Sequence, residues 1–226
     1  MNAVAPIRTP PGRAGRQHLL HRLAVAARGA DLLEKKLRIL RTEHQRLVQA
    51  EEACSAAWRE RLREAETWLS RGLVLSGEHA LCSAAAGLVP ADVTVGWTTS
   101  MGVRRPSGIS CTVPARPPSA AIPGNTALVH AEAAYRQAVR AAADHACARV
   151  AARIVGAEVA STSRRVRALR RHWIPRLEEA LAHVDLTLEQ GEHEDSVRRR
   201  WAAQILQERE RPTERDGPSA DRSARR

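Results

Sequence analysis

Aromatic residues are scarce in this sequence, and phenylalanine is absent altogether. The aromatic fraction is 3%, supplied by five Trp and one Tyr among 226 residues. Because large aromatic side chains dominate the cores of compact domains, this shortage argues against a conventional globular core. Ala, Leu, Arg and Glu are abundant instead, a composition that is typical of long helices.

The sequence also lacks the signatures of several classes of protein. No apolar run approaches the ~20 residues that a membrane-spanning helix needs, so we expect no direct membrane insertion. Neither Gly-x-x-x-x-Gly-Lys-Ser/Thr nor a Gly-x-Gly-x-x-Gly after a strand occurs, which excludes the common phosphate-binding loops and predicts no cofactor. The carboxylates are scattered along helical faces, so an enzyme is the least favoured class.

Cysteine and histidine show no metal-binding pattern. The four cysteines are Cys54, Cys82, Cys111 and Cys147. None belongs to a Cys-x-x-Cys pair, and we interpret them as free thiols in a reducing compartment. His18 and His21 could share a metal on one helical face, but no third ligand lies near them in the sequence. We therefore predict no metal site, and His44 is interpreted as a polar residue that fixes helix register.

The charge is strongly positive, with a formal net value of +11 supplied almost entirely by arginine. An excess of this kind can bind an anionic partner, either nucleic acid or a membrane surface. The arginines are interleaved with glutamates along the chain, which favours a solvated helix surface or a face that meets an acidic protein. A basic coiled coil that binds nucleic acid or a membrane surface stays as the alternative hypothesis.

Proline and glycine divide the chain into five segments. Residues 1–16 predict an irregular lead-in and residues 212–226 a disordered tail, because both lack an apolar stripe and contain prolines. Residues 17–83 and 127–211 carry helical periodicity throughout. Residues 84–126, rich in Gly, Pro, Ser and Thr, separate the two helices as a β-hairpin and loop region.

Apolar residues at alternating steps of three and four mark one face of each long helix. In the first helix the series is Leu23, Ala26, Ala30, Leu33, Leu37, Leu40, His44 and Leu47. In the second it is Val155, Val159, Thr162, Val166, Leu169, Trp173, Leu177, Ala180, Val184 and Leu188. Sustained spacing of this kind is the signature of a coiled-coil seam. The sequence therefore predicts a mainly α fold, with two long helices in an antiparallel coiled coil.

The region between the helices contains two short runs of period two. Apolar residues alternate with polar ones or glycine at 93–97 and again at 109–113, which predicts a β-hairpin with the segment 102–108 as its connection. Trp97 in the first run could be either hairpin core or an anchor for a partner. Asn125, just before the second helix, is a plausible helix cap.

The register of the two helices follows from where the chain turns. A turn near residue 104 would place His44 opposite Arg165 and Trp58 opposite Ala152. Pro175 lies inside the second helix, where it removes one backbone hydrogen bond and should bend the helix.

Two blocks of sequence carry a resemblance that goes beyond periodicity. The first is Gly-Ala-Asp-Leu-Leu-Glu-Lys-Lys at residues 29–36, and the second is Arg-Arg-Val-Arg-Ala-Leu at 164–169 followed by Ile-Pro at 174–175. Both blocks, in this order and separation, resemble the D subunit, the central-stalk rotor component of V-type ATPases, over roughly residues 6–205. The positions that match the family's motifs are Gly29, Asp31, Leu32, Leu33, Lys35, Lys36, Arg164, Arg165, Val166, Ala168, Leu169, Ile174 and Pro175.

The resemblance implies a rotor shaft without catalytic residues of its own. Such a shaft would turn inside a ring of catalytic A and regulatory B subunits and couple ATP synthesis or hydrolysis there to proton or sodium transport. Its hairpin end would meet the F subunit of the stalk and the socket subunit that joins the membrane rotor ring, with Trp97 as a contact. The motif positions would serve partner contact or coil packing. The expected location is cytoplasmic and peripheral to the cell membrane, with no nucleic acid bound.

A third hypothesis is a structural coiled-coil scaffold that associates with itself. Uninterrupted heptads would favour a scaffold, whereas this seam shifts its register near residue 61 and carries His44 and Thr162.

Overall fold

The computed structural model describes residues 10–86, 88–117 and 123–210. Three helices account for most of these residues: α1 Gly12–Ala85, α2 Thr126–Ala168 and α3 Ile174–Glu210. Two strands, β1 Asp92–Ser100 and β2 Val103–Thr112, pair antiparallel between α1 and α2. The predicted fold class, long helices with a β-hairpin between them, is therefore confirmed.

The ends of the chain were predicted to be irregular. The predicted tail at 212–226 lies outside the described residues, and so do residues 1–9 of the predicted lead-in. Helix α1 begins at Gly12, several residues earlier than the apolar periodicity indicated. Gly12 has a φ of 78°, a left-handed conformation that glycine adopts without steric penalty, so the chain can turn sharply into the helix there.

The chain divides into two compact units, and α1 contributes to both. The first unit is formed by Met1–Arg28 and Arg170–Arg226, of which the structure describes 10–28 and 170–210. The second unit is Gly29–Leu169 and contains the hairpin.

The first unit is an antiparallel pair made by the start of α1 and by α3. Leu19 and Leu177 are both fully buried at its centre. The partly buried residues packed against this centre are Leu23, Trp173, Ile174, Ala180, Leu181 and Val184. Two ion pairs, Arg13 with Glu192 at 2.9 Å and Arg16 with Asp185 at 2.7 Å, follow the same antiparallel order. Most of these core residues belong to the predicted seam.

The second unit pairs the rest of α1 with α2 in antiparallel order and adds the hairpin to them. Its core consists of Leu40, Leu47, Val103, Ala151, Ala152 and Val155. Val103 comes from the hairpin, so the start of β2 packs into the helical seam, and β2 then follows α2. A lone hairpin is marginally stable in water, and this packing supplies the apolar face that it needs.

The predicted register of the helices is wrong. His44 lies against Gly156 rather than Arg165. The contact is so close that a Cβ placed on Gly156 would stand 2.7 Å from the His44 Nε2. Trp58 stacks on His145 rather than facing Ala152, with the ring centroids 5.4 Å apart. The reason is that the connection is not centred on residue 104.

The point where α2 meets α1 explains the shift. Asn125 caps α2 as predicted, since its Oδ1 accepts a hydrogen bond from the Leu128 N–H at 2.8 Å. Its Nδ2 donates to the Gly72 carbonyl at 3.1 Å and to the Ser76 Oγ at 2.6 Å, so α2 starts level with Gly72. Helix α1 then breaks at Gly77, where φ is 72° and ψ is 178°.

The hairpin turn is shorter than the sequence indicated. Met101 and Gly102, with φ of 51° and 76°, form a two-residue turn in which both central residues are left-handed, as in a type I′ turn. The predicted connection at 102–108 is therefore mostly strand. Pro106 is tolerated inside β2 because the register shifts between Gly96 and Trp97, and a bulge needs no ladder hydrogen bond from proline.

A π-helical turn at Leu169–Trp173 stands where the sequence predicted a bend. Pro175 follows it at the second position of α3, and proline has no N–H for the carbonyl four residues earlier. A π turn changes the hydrogen-bond step of the helix, which accommodates the missing donor.

Candidate partner-binding surfaces

The first motif block, residues 29–36, presents two different faces of α1. Leu33 and Lys36 are half-buried, and Lys36 Nζ donates to the Glu158 Oε1 of α2 at 2.9 Å. Asp31, Leu32 and Lys35 point away from the seam, with Leu32 65% exposed. Among the residues that the structure describes outside its own helical turn, no atom lies within 4 Å of the place where a Cβ on Gly29 would stand. Leu32 and Lys35 are thus exposed beside an uncrowded glycine.

The second motif block extends from the end of α2 through Leu169 to the start of α3, and it also contains both exposed and half-buried residues. Arg164, Arg165 and Ala168 are exposed, whereas Val166 and Leu169 are half-buried towards the seam. Ile174 packs in the core of the first unit, and Pro175 beside it is half-buried. The motif positions therefore comprise both coil-packing residues and exposed residues.

Glu158 links the two blocks within the second unit. Its carboxylate accepts hydrogen bonds from Lys36 and, at 3.2 Å, from the hydroxyl of the fully buried Thr162. The hydrogen bond from Lys36 lowers the pKa of Glu158 most, burial opposes this, and the charge of Arg165 lowers it further. The structure thus brings Lys36 and Arg165 to one carboxylate that the sequence motifs did not include.

Trp97 lies on an exposed apolar strip of the hairpin. Its side chain is 50% exposed, and the Arg104 guanidinium carbon stands 4.9 Å from the ring centroid. Val93 and Val95 continue the strip along β1 and are also exposed. With half of its surface exposed, Trp97 is not a buried residue of a hairpin core.

Sequence reasoning missed the ion pair that fastens the hairpin to α1. Arg105 Nη2 donates to Glu43 Oε1, and the Arg105 side chain is only 12% exposed. Glu43 also accepts two hydrogen bonds from Arg46, and these lower its pKa more than the charge of Arg105 does. Nothing in the sequence signals a pair between residues that are 62 positions apart.

A cavity of about 310 Å³ opens beside the start of α2 and was also not predicted. Apolar side chains form most of its wall, among them Leu69, Leu81 and Leu128. Glu132 lines the cavity and pairs with Arg116 and Arg136, and the hydrogen bond from Arg116 is the main reason why its pKa is lowered. Tyr135, on the same wall, has a raised pKa because of burial.

Among the residues that the structure describes, no three His, Cys, Asp or Glu side chains converge on a point where a metal ion could bind. Within the described helices, no segment has the length and hydropathy of a bilayer span.

Three carboxyl groups of the second unit should make its stability decrease at acid pH. Glu43, Glu132 and Glu158 have lowered pKa values in the folded chain, so their contribution to stability is complete above the unfolded pKa of ~4.3. This contribution is lost as the pH falls through the folded values, because the unfolded chain takes up protons first. We expect the urea midpoint, followed by circular dichroism, to decrease as the pH is lowered from neutral to 3.

The variant Glu158→Gln tests one of these groups. It should start with a lower midpoint at neutral pH and lose less on acidification than the unmodified chain, because residue 158 no longer titrates. An identical pH dependence in both proteins would contradict the assignment of Glu158 as an acid-sensitive group.

Comparison with known proteins finds one matching family and similar relatives. The sequence model of the family described as the ATP synthase D subunit matches residues 16–204. The D subunit of a V-type ATP synthase from Anaeromyxobacter sp. (strain Fw109-5) is 32% identical over 197 residues, which cover 84% of this chain and 91% of the relative. That of Anaeromyxobacter dehalogenans (strain 2CP-C) is 30% identical over 200 residues, or 83% of this chain and 92% of the relative.

Proposed function

Since the chain belongs to the D-subunit family of V-type ATP synthases, we propose that it is the central shaft of such an enzyme. In this function it couples ATP synthesis or hydrolysis in a ring of catalytic A and regulatory B subunits to ion translocation across the membrane. The observation that carries the proposal is the family match over residues 16–204. The exposed motif positions support it, because each block presents solvent-exposed side chains, such as Leu32 and Arg164, as well as packed ones.

The mechanism follows from differential contact. A shaft carries no nucleotide site and acts by presenting different faces to successive interfaces of the ring. Contacts that are stronger in one nucleotide state than in another shift the population of states at each interface. Leu32 and Arg164, which are exposed on α1 and α2, are candidates for such contacts.

The remaining partners follow from the same assignment. We propose that the hairpin side meets the F subunit of the stalk, with the exposed strip that includes Trp97 as the contact, and that a socket subunit connects the shaft to the membrane rotor ring. The shaft would then be cytoplasmic and peripheral to the membrane, with no cofactor and no catalytic residue of its own.

The test is reconstitution with its own A, B and F subunits. The chain should purify in a stoichiometric complex that hydrolyses ATP. The variant Leu32→Ala/Arg164→Ala/Arg165→Ala should reduce turnover about tenfold, equivalent to ~1.4 kcal/mol, because the motif contacts are removed.

The matched control replaces exposed arginines of α2 outside the motif. Arg140→Ala/Arg149→Ala should leave turnover within about twofold of the unmodified complex, since surface charges of this kind contribute little. If the chain instead purifies without the ring subunits and binds DNA with a steep salt dependence, the shaft is the wrong function and the nucleic-acid hypothesis replaces it.

A further inference from the structure

Two of the four cysteines lie on facing helices of the second unit. Trp58 of α1 stacks on His145 of α2, and residue numbers rise along α1 as they fall along α2. Cys54 is one helical turn before Trp58, and Cys147 is two residues after His145. The antiparallel register therefore brings Cys54 and Cys147 to the same level of the seam.

The helix contacts that precede Cys54 on α1 support this placement of the two cysteines. His44 lies against Gly156, and Leu47 and Ala151 share one core cluster. The Cys54 level thus lies between two fixed contacts, which place it opposite residues 146 to 149 of α2, and Cys147 belongs to that range.

The helices have room to approach closely at this level. Small side chains near both cysteines are turned away from solvent: Ser55 on α1 and Ala143 and Ala148 on α2 are half-buried, and Ala151 on α2 is buried. Packed helices have axes roughly 8–10 Å apart and Cα atoms roughly 2.3 Å from each axis. Facing Cα atoms in a close pair consequently come to roughly 3.4–5.4 Å, a range that overlaps the ~4.4–6.8 Å between the Cα atoms of a disulfide.

The pKa of the Cys147 thiol also indicates that the two thiols are close together. Both side chains are half-buried and free. Burial raises the pKa of the Cys147 thiol, and the charges of Asp144 and Cys54 raise it further, while Arg105 lowers it. An influence of Cys54 on Cys147 requires the two thiols to be neighbours.

We propose that Cys54 and Cys147 form a redox modification site, at which a reversible disulfide links α1 covalently to α2. The oxidant is a low-molecular-weight disulfide. The Cys54 thiolate attacks one of its sulfurs and displaces one small thiolate, which leaves a mixed disulfide on Cys54. Cys147 then loses its proton, attacks the Cys54 sulfur and releases the second small thiolate. Two protein thiols are oxidised, and one small disulfide is reduced to two thiols.

This chemistry does not depend on the proposed function. The consequence for a shaft does depend on it: a covalent link between the helices would hold their register fixed while the shaft transmits torque. A reductant would remove the link, so the state of the shaft would follow the thiol–disulfide balance of its compartment.

The experiment uses the full chain, reduced, desalted and then incubated with glutathione disulfide. Free thiols, titrated after denaturation, should fall from four to two per chain, and dithiothreitol should restore all four. Proteolysis and mass spectrometry should recover the Cys54 peptide joined to the Cys147 peptide. Non-reducing electrophoresis should show a faster band, because the cross-link makes the denatured chain more compact.

Two variants separate this pair from the other cysteines. Cys82→Ser/Cys111→Ser should fall from two free thiols to none and give the same linked peptides. Cys54→Ser/Cys147→Ser should show no faster band. Two results with the unmodified chain would overturn the proposal. One is the recovery of Cys54 and Cys147 only as glutathione adducts, and the other is a disulfide that links either residue to Cys82 or Cys111.

Discussion

Replacing Glu43 with leucine should lower the free energy of unfolding by about 3 kcal/mol, the largest effect we expect from one substitution of this chain. Arg105 would remain between the hairpin and α1 with its charge uncompensated, although its side chain is only 12% exposed. Its buried Nε already lacks a hydrogen-bond partner in the part of the chain that the structure describes, and the long hydrogen bond from Nη1 to the Pro106 carbonyl, at 3.4 Å, does not neutralise the charge. Chemical denaturation monitored by circular dichroism measures the change.

The double variant Glu43→Leu/Arg105→Leu distinguishes a buried charge from lost packing. Replacing both partners of a buried pair with apolar residues is often close to neutral, so the double variant should recover most of the stability that Glu43→Leu loses. Arg46→Ala is the control, since Arg46 also binds Glu43 but is 69% exposed and should contribute less than ~0.5 kcal/mol. A double variant that is as unstable as the single one would contradict this explanation.

The periodicity of the sequence was sufficient to predict the elements of the fold. Steps of three and four gave the long helices, and the alternation around Val95 and Ile109 gave the hairpin. These signals are local, because a residue's place on a helix face or strand face depends only on its near neighbours in the chain. The register of the helices is not local, and it could not be predicted in this way.

A repeating seam looks nearly the same after a slip by one repeat, so the apolar pattern alone leaves several registers open. Specific contacts decide between them: His44 against Gly156, and the Asn125 side chain on the Gly72 carbonyl. The sequence shows a histidine and two glycines, but it does not show which of them meet.

The partner contacts of the motif positions stay predictions. The resemblance identified the motif blocks, and the structure separates their exposed members, such as Arg164, from half-buried members, such as Leu33. The resemblance could not identify Glu158, which accepts a hydrogen bond from Lys36 and has its pKa lowered by the charge of Arg165, because these contacts depend on the register. The first half of β2 was missed for another reason. Pro106 argued against a strand, because proline inside a strand requires a bulge, and no sequence pattern predicts the bulge between Gly96 and Trp97.

The same substitution, glycine to alanine, should have opposite effects at two helical positions. At Gly72 a Cβ would lie 2.6 Å from Leu128 Cδ2 and 2.8 Å from its Cγ, and Leu128 is buried. We expect Gly72→Ala to lower the free energy of unfolding by about 2 kcal/mol, because overpacking here outweighs the ~1 kcal/mol that alanine gains as a helix former. The movement of Leu128 would also disturb the N–H that Asn125 caps.

At Gly191 in α3, no described residue beyond the glycine's own helical turn has an atom within 4 Å of the Cβ position, so the helix preference of alanine is the main effect there. Gly191→Ala should therefore raise the free energy of unfolding by about 0.5–1 kcal/mol, measured in the same denaturation series. A double variant, Gly72→Ala/Leu128→Ala, should be less destabilised than the sum of its single variants, since the smaller side chain makes room for the new Cβ. Stabilisation by Gly72→Ala would show that α2 does not begin level with Gly72, and the register described for the second unit would then be incorrect.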